Sequence, residues 1–447
     1  MTINILLSID KGIYKLKNPI TKGGLMRWST LTIIIFLLSC LGFGSVAATD
    51  ESDIYYEFLK NSYNQNERKL NDFLLAELDL YMKIFPESKN LPAAGYLLAK
   101  VYEDRGYEDI AFALFMKQLH LYPNSPIQSK IVEEARDIIT KNSRYKNRQA
   151  ELIQLIEGTF PECDHVDCLY NYLAFLYDLD QERLYDWNLR EFYDFIAHNK
   201  SDDRVEQVYR WIADTYALKK NEQAAQSAYL KYEQLYPESE HIPYVKIRRA
   251  KIVYEDLKDY PSALEILTQV IDNYPMTDYA GSALYLRGEI KARKQRDYNG
   301  AIADFRRLVT DMPGHDMGVD ALFNIAEINR DQLDALKTAI GVYDEIIDLY
   351  PEDIRGVKAL EEAAEIYIKL DDPLSAAQEY ARIASQFPAY EDSPKMLTKA
   401  GAICESKLVN YEKAIEFYQM VVDKYIDSDY AEKAEKRIAK LREKIGE

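Results

Sequence analysis

Turn-forming residues are scarce in this chain. Glycine and proline number 17 and 15 among 447 residues, which excludes a fold assembled from many tight turns. Cysteine occurs four times, at Cys40, Cys163, Cys168 and Cys404. That is too few and too scattered for a disulfide scaffold. The five histidines (120, 165, 198, 241, 315) share no metal-ligand spacing. No His-Glu-x-x-His, Gly-x-Ser-x-Gly or glycine-rich phosphate loop is present. The sequence therefore offers no catalytic residue, no metal site and no cofactor site, and an enzyme is not expected. Positive charge is also short. The formal net charge is −18, and beyond residue 48 there are 51 basic against 73 acidic residues. Such a surface repels nucleic acid and anionic headgroups, so no nucleic-acid partner is expected.

Apolar residues, at 47%, are sufficient for a folded core. One stretch is apolar without interruption: residues 31–48 carry no charge, Arg27 precedes them, and they end on Ser45-Val46-Ala47-Ala48. A basic, then apolar, then small-residue order is that of a secretory signal, with Val46 and Ala48 at the −3 and −1 positions of a cleavage site. Met26 is then an alternative start. Two other fates stay open. Leu37-Leu38-Ser39-Cys40 is similar to a lipobox, which makes Cys40 a candidate lipid attachment site. The 18-residue run is also just long enough to be a retained membrane anchor. Each fate places the rest of the chain outside the cytoplasm, in the periplasm or at the outer membrane, with membrane contact only through this segment or a lipid.

The remainder repeats itself. An aromatic or similar residue followed by proline recurs at Phe85-Pro86, Tyr122-Pro123, Phe160-Pro161, Tyr236-Pro237, Tyr274-Pro275, Met312-Pro313, Tyr350-Pro351 and Phe387-Pro388. Successive prolines lie 37, 38, 76, 38, 38, 38 and 37 residues apart, with Asn199 at the one empty step. Before each proline runs an apolar stripe of helical period. Ala263, Leu264, Leu267, Val270, Ile271 and Tyr274 match Ala301, Ile302, Phe305, Leu308, Val309 and Met312, and the stripe returns from Ala339 and Ala414. A second helix precedes each, as in 244–257, 279–294, 319–330 and 358–370. The polar loop between them (Lys258-Asp259-Tyr260-Pro261) is so short that the two helices must be antiparallel.

Gly288, Ala301, Phe305 and Pro313, and again Ala364, Tyr367, Ala376, Tyr380 and Pro388, fall at the small, alanine, aromatic and proline positions of the tetratricopeptide repeat, and the chain resembles that family over roughly 52–447. Its period of 38 exceeds the usual length. The endings Phe85-Pro-Glu-Ser88 and Tyr236-Pro-Glu-Ser239 are similar to long-repeat proteins of the bacterial envelope, such as outer-membrane assembly lipoproteins and periplasmic cell-division coordinators. The resemblance implies an all-α fold, an α-solenoid of stacked antiparallel helix hairpins wound into a superhelix. The expected divisions are 1–48 as leader and signal or anchor, 49–123 as amino-terminal repeats, 124–199 as degenerate repeats, 200–426 as the regular array and 427–447 as a capping helix. In the degenerate stretch Gln149 and Trp187 stand where alanine is expected.

The resemblance also places Tyr96, Arg210, Lys251, Tyr285, Phe323 and Glu327 on the concave, partner-facing side of the first helices. The closing aromatics read instead as core between repeats. Cys163 and Cys168 flank Asp164, His165 and Asp167, and read as a local disulfide or two free thiols; the spacing is not that of a metal site. The expected function is a non-enzymatic exported scaffold or adaptor that binds proteins or peptides in the bacterial envelope. The alternative is a regulatory or docking subunit of an envelope hydrolase or of a polysaccharide synthesis or export machine.

Overall fold

The computed structural model describes residues 50–446. The apolar run at 31–48, the cleavage position at Ala48 and the lipid candidate Cys40 lie outside the described residues. No described helix is long and apolar enough to cross a membrane.

Twenty-one α-helices follow one another along the described chain. The first eight are α1 (Glu51–Asn64), α2 (Asn71–Ile84), α3 (Leu91–Asp104), α4 (Glu108–Leu121), α5 (Gln128–Lys141), α6 (Gln149–Glu157), α7 (His165–Leu179) and α8 (Tyr185–His198). The regular repeats supply α9 (Val205–Leu218), α10 (Glu222–Leu235), α11 (Ile242–Glu255), α12 (Tyr260–Asn273), α13 (Asp278–Ile290), α14 (Tyr298–Asp311), α15 (Gly318–Asp331), α16 (Leu336–Leu349), α17 (Arg355–Lys369), α18 (Pro373–Gln386), α19 (Ser393–Ser406) and α20 (Tyr411–Lys424). A terminal helix α21 (Asp429–Ile445) closes the chain. The described residues cluster into two compact units, 50–118 with 124–157, and 119–123 with 158–446. Each is an all-α solenoid of helix hairpins.

In the regular repeats one joint is used again and again. The residue before the second helix of a repeat is an Asp or Asn whose side chain accepts a backbone N–H from inside the helix: Asn221 from Ala224, Asp259 from Ser262, Asp297 from Gly300, Asp372 from Ser375 and Asn410 from Lys413. Such a cap satisfies a donor that the first turn leaves free. The residue one step earlier is left-handed at all five, with φ of 56° at Lys220, 58° at Lys258, 57° at Arg296, 58° at Asp371 and 53° at Val409, and Asp334 before the uncapped Ala335 adopts the same form at 50°. That single reversal turns the first helix back on the second. At the far end α10, α12, α14, α16 and α18 stop before proline, which cannot continue them, while α20 ends before Tyr425-Ile426.

Packing follows the stripe. Ala263, Ala301, Ala339, Ala376 and Ala414 are fully buried, as are Leu267, Val270, Phe305, Leu308 and Ile346. Each large apolar side chain so buried contributes about 1.5–3 kcal/mol. Tyr274, Met312, Tyr350 and Tyr425 are half-buried against the same continuous core. Gly288 shows why the crossing residue is small: a Cβ there would lie 2.7 Å from Cε1 of Phe305. The alanine is missing at Gln149 and at Trp187, and the helix is shortened only at the first. Gln149 begins a helix of only nine residues, preceded by a 3-10 stretch over Ser143–Arg148. Trp187 is buried in α8 and donates its Nε1–H to the Tyr172 hydroxyl at 3.1 Å. In α21 Ala431, Ala434, Ile438 and Leu441 face inward while the other face is charged.

Candidate functional site: the first-helix face of the regular repeats

Tyrosine is abundant, with 36 in the chain, and a recurrent use of it is to hold carboxylates. Tyr145 donates to Asp109 at 2.9 Å, Tyr232 to Glu206 at 2.7 Å and Tyr418 to Glu405 at 3.1 Å. A buried acid costs several kcal/mol unless donors surround it, and a buried phenol supplies one without adding charge.

The densest such group surrounds Asp214 on α9, which is 3% exposed. Its Oδ2 accepts from Tyr177 of α7 at 2.9 Å. Its Oδ1 accepts from Tyr229 of α10 and from Tyr244 of α11 at 3.1 Å. Burial first, and then the nearby Asp214 charge, push all three phenols up, Tyr244 to about 12. At neutral pH they therefore remain O–H donors. Trp211, one turn earlier on α9, is stacked between Tyr170 and Tyr177, with centroid distances of 5.3 and 5.2 Å and planes 21° apart in both pairs.

Two arginines border this group. Arg210 lies over the Tyr244 ring, 5.5 Å from its centroid, and its Nη2 donates to Gln207 at 2.6 Å. Its Nε is buried and has no hydrogen-bond partner. Arg248, one turn beyond Tyr244 on α11, directs its Nε at the Tyr229 hydroxyl, 3.5 Å away. Arg210 and Arg248 are one 38-residue period apart and occupy equivalent places on neighbouring first helices.

The other sequence-selected residues of this compact unit lie further along. Phe323 and Glu327 come together around Lys358 of the next first helix, which sits 4.9 Å from the Phe323 centroid and 3.8 Å from the Glu327 carboxylate. Tyr285 is linked to α15 by a bond of 3.1 Å from Asn324 to its hydroxyl. Lys251 pairs with Glu255 of its own helix at 3.8 Å. Nearby, burial raises the Glu289 carboxyl above its usual range despite its contact with Arg293 at 3.0 Å.

Tyr96 belongs to the other compact unit. There its hydroxyl donates to Glu134 at 2.8 Å, and Lys100 reaches the same carboxylate at 2.9 Å. Cys163 and Cys168 are joined as a disulfide with their Cα atoms 5.6 Å apart, beside Asp164, which caps α7. Cys404 is buried in α19. A hollow lined by Tyr63, Asn66, Arg68 and Asp104 measures about 100 Å³, room for a few waters.

Reading the sequence for first-helix positions located Arg210 and missed Arg248, Tyr244, Tyr177 and Asp214. A signal for Arg248 was present, because it follows Arg210 by one period. The Asp214 group had none, because its four members come from four helices.

Residues 201–360 match the sequence profile of the outer membrane lipoprotein family YfiO. No curated protein matches the chain. Among solved structures, a tetratricopeptide repeat protein from Parabacteroides merdae has 15% identity, with 61% of this chain and 98% of that one covered and a TM-score of 0.35. PilW, a type IV pilus biogenesis factor, has 16% identity over 52% of this chain and 99% of its own, with a TM-score of 0.30. YrrB, described as a TPR protein with an unusual peptide-binding site, has 19% identity over 47% of this chain and 100% of its own, also at 0.30. Over residues 201–360, about a third of its length, this chain of helix hairpins is similar to the outer membrane lipoprotein family.

Proposed function

We propose that this chain is a non-enzymatic scaffold of the bacterial cell envelope that binds other proteins through the first-helix face of its regular repeats. The observation that carries the reading is the match of residues 201–360 to the outer membrane lipoprotein family. That span contains Asp214, Tyr229 and Tyr244, and the residues around Tyr285, Phe323 and Lys358. Aromatic rings and cations lie side by side on this face, as at Tyr244 with Arg210 and Phe323 with Lys358. Such a surface suits a polypeptide, because affinity collects from a few aromatic and arginine anchors spread over a long contact. Arg210, Lys251, Tyr285, Phe323 and Glu327 are its binding residues in this reading, and Tyr96 serves the amino-terminal repeats. Residues 1–48 direct export, ending in cleavage after Ala48, lipidation at Cys40 or retention as an anchor. The Cys163–Cys168 disulfide fits an oxidising compartment.

The test is cross-linking in intact cells, followed by purification of the chain from the envelope and mass spectrometry of what comes with it. A partner from outer-membrane or cell-wall assembly is expected. A hydrolase or glycosyltransferase would instead make the chain a docking subunit. Recovery of the chain from the cytoplasm, with its amino terminus unprocessed and no partner attached, would overturn the reading.

A further inference from the structure

The fourth and eighth residues of an α-helix project from the same side of it. In the first helices of later hairpins that side is covered. The fourth residue is Val208 in α9, Ala321 in α15 and Met396 in α19, and the eighth is Ile212, Ile325 and Ala400. None of the six is more than 3% exposed. The helix packed before each of these three is the second helix of the preceding hairpin: α8 against α9, α14 against α15 and α18 against α19. In α1 the same two places hold Ile54 and Phe58, which are 60% and 50% exposed. No described helix stands before α1.

The other helix of the same hairpin widens the patch. The third residue of a second helix is Ala224 in α10, Ser262 in α12 and Gly300 in α14, but Phe73 in α2. The tenth is Lys231, Gln269 and Arg307 in those three helices, but Leu80 in α2. Phe73 and Leu80 are exposed, as is Ile84 one turn further on. The Phe58 and Phe73 rings meet edge to face with centroids 6.3 Å apart, which joins the two helices into one apolar face. Such a face marks a place of contact with another molecule. Its border is acidic. α1 and α2 carry six acids, Glu51, Asp53, Glu57, Asp72, Glu77 and Asp79, against Lys60 and Lys83. Both lysines are already paired, with Glu57 at 2.9 Å and with Asp79 at 2.6 Å. A second copy turned onto this face would set acid against acid, and anionic headgroups would be repelled as well.

We infer that Ile54, Phe58, Phe73, Leu80 and Ile84 form a docking site for an amphipathic helix of a partner protein, apolar on one side and flanked by lysine or arginine. The occupant is a helix because a helix covers the equivalent side of α9, α15 and α19. It lies along α1 as the second helix of a preceding hairpin would, with its apolar stripe on Ile54 and Phe58. Its cations face Glu51 and Glu57, which are exposed on the same helix. This goes beyond the scaffold reading above, since the site belongs to the compact unit of residues 50–118 with 124–157 and not to the regular array.

The experiment is fluorescence polarisation with the chain in two lengths, from Met1 and from Thr49, and three labelled synthetic helices. The first has a leucine and alanine stripe flanked by lysine. The second keeps the stripe and is flanked by glutamate. The third keeps the lysines and has glutamine in place of the stripe, which reports attraction by net charge alone. Binding of the first at least about tenfold tighter than either other is expected, by both lengths of the chain. Phe58→Ser and Leu80→Ser should each weaken it at least about tenfold, whereas Leu349→Ser, an exposed apolar residue of the regular array, should leave it unchanged. Should a serine variant misfold, hydrogen exchange of the unaltered chain decides: the first peptide must slow exchange in 51–64 and 71–84 and leave 355–386 as it was. Equal binding of the first and second peptides, or of the first and third, overturns the inference. So does binding of none, or full affinity in the Phe58 and Leu80 variants. Binding by the chain from Thr49 but not by the chain from Met1 would make residues 31–48 the occupant and overturn it too. A dimer in sedimentation, or attachment to phosphatidylethanolamine vesicles, that Phe58→Ser abolishes would do the same by naming a second copy or a lipid surface.

Discussion

At the scale of single residues, a few side chains control much more than their own contacts. Asp214 is the acceptor for three phenols. Replacing it with asparagine removes the charge that all three face, and a cost of about 1–3 kcal/mol in urea unfolding is expected. Gly288 is a limit of another kind. Alanine there would meet the Phe305 ring at 2.7 Å, and Gly288→Ala should cost about 1–3 kcal/mol as the two helices are forced apart. Ala301→Gly nearby, which opens space instead, is the control. Asp202 gives a pH signature. The Arg204 fork holds its carboxyl down to about 2, below the ordinary value of 3.8. A depressed acid stabilises the fold above its unfolded pKa and loses that contribution as pH falls through the folded one. The melting-temperature gap between the natural chain and Asp202→Asn should therefore be open at about pH 6 and narrow steadily between about pH 4 and pH 2. A gap independent of pH would rule out this origin.

At the scale of elements, the repeated joint before each second helix sets where stability can be added. Val409 is β-branched and sits at φ of 53°, a region that costs an L-residue roughly 1–2 kcal/mol. Val409→Gly should raise stability by about 1 kcal/mol in denaturant titration, with the side chain itself exposed and little packing to lose. Ala335 stands where the equivalent repeats have a capping Asp or Asn, and it makes no side-chain cap bond. Ala335→Asp should gain about 1 kcal/mol. The stripe and the stop were legible in the sequence, because they recur every 38 residues, whereas the cap and the left-handed residue before it were not read there. The sequence shows a break in the alanine series at Gln149 and Trp187, and a short helix begins at the first of them. The form of that break was not legible: the 3-10 stretch over Ser143–Arg148 follows from how Tyr145 reaches Asp109, a contact across 36 residues. The Asp214 group was hidden for the same reason. Periodicity reports which face of a helix is buried, and it does not report which buried polar atoms from four separate helices find one another.

At the scale of the whole molecule, the surplus of acid matters more than any one ion pair. A net charge of −18 opposes compaction through self-repulsion, and added salt screens it. The melting temperature should rise between about 0.05 and 0.5 M sodium chloride; a fall would mean that the inter-helix ion pairs outweigh the repulsion. The joints have a consequence for the length of the gene as well. Each leaves the chain in the same left-handed reversal, so a segment of 38 residues cut between two joints can be duplicated or deleted without asking the backbone for a new shape. The Asp214 group is the exception. It ties α7, α9, α10 and α11 to one carboxylate, so that block must be inherited whole, while the repeats beyond it are free to change in number.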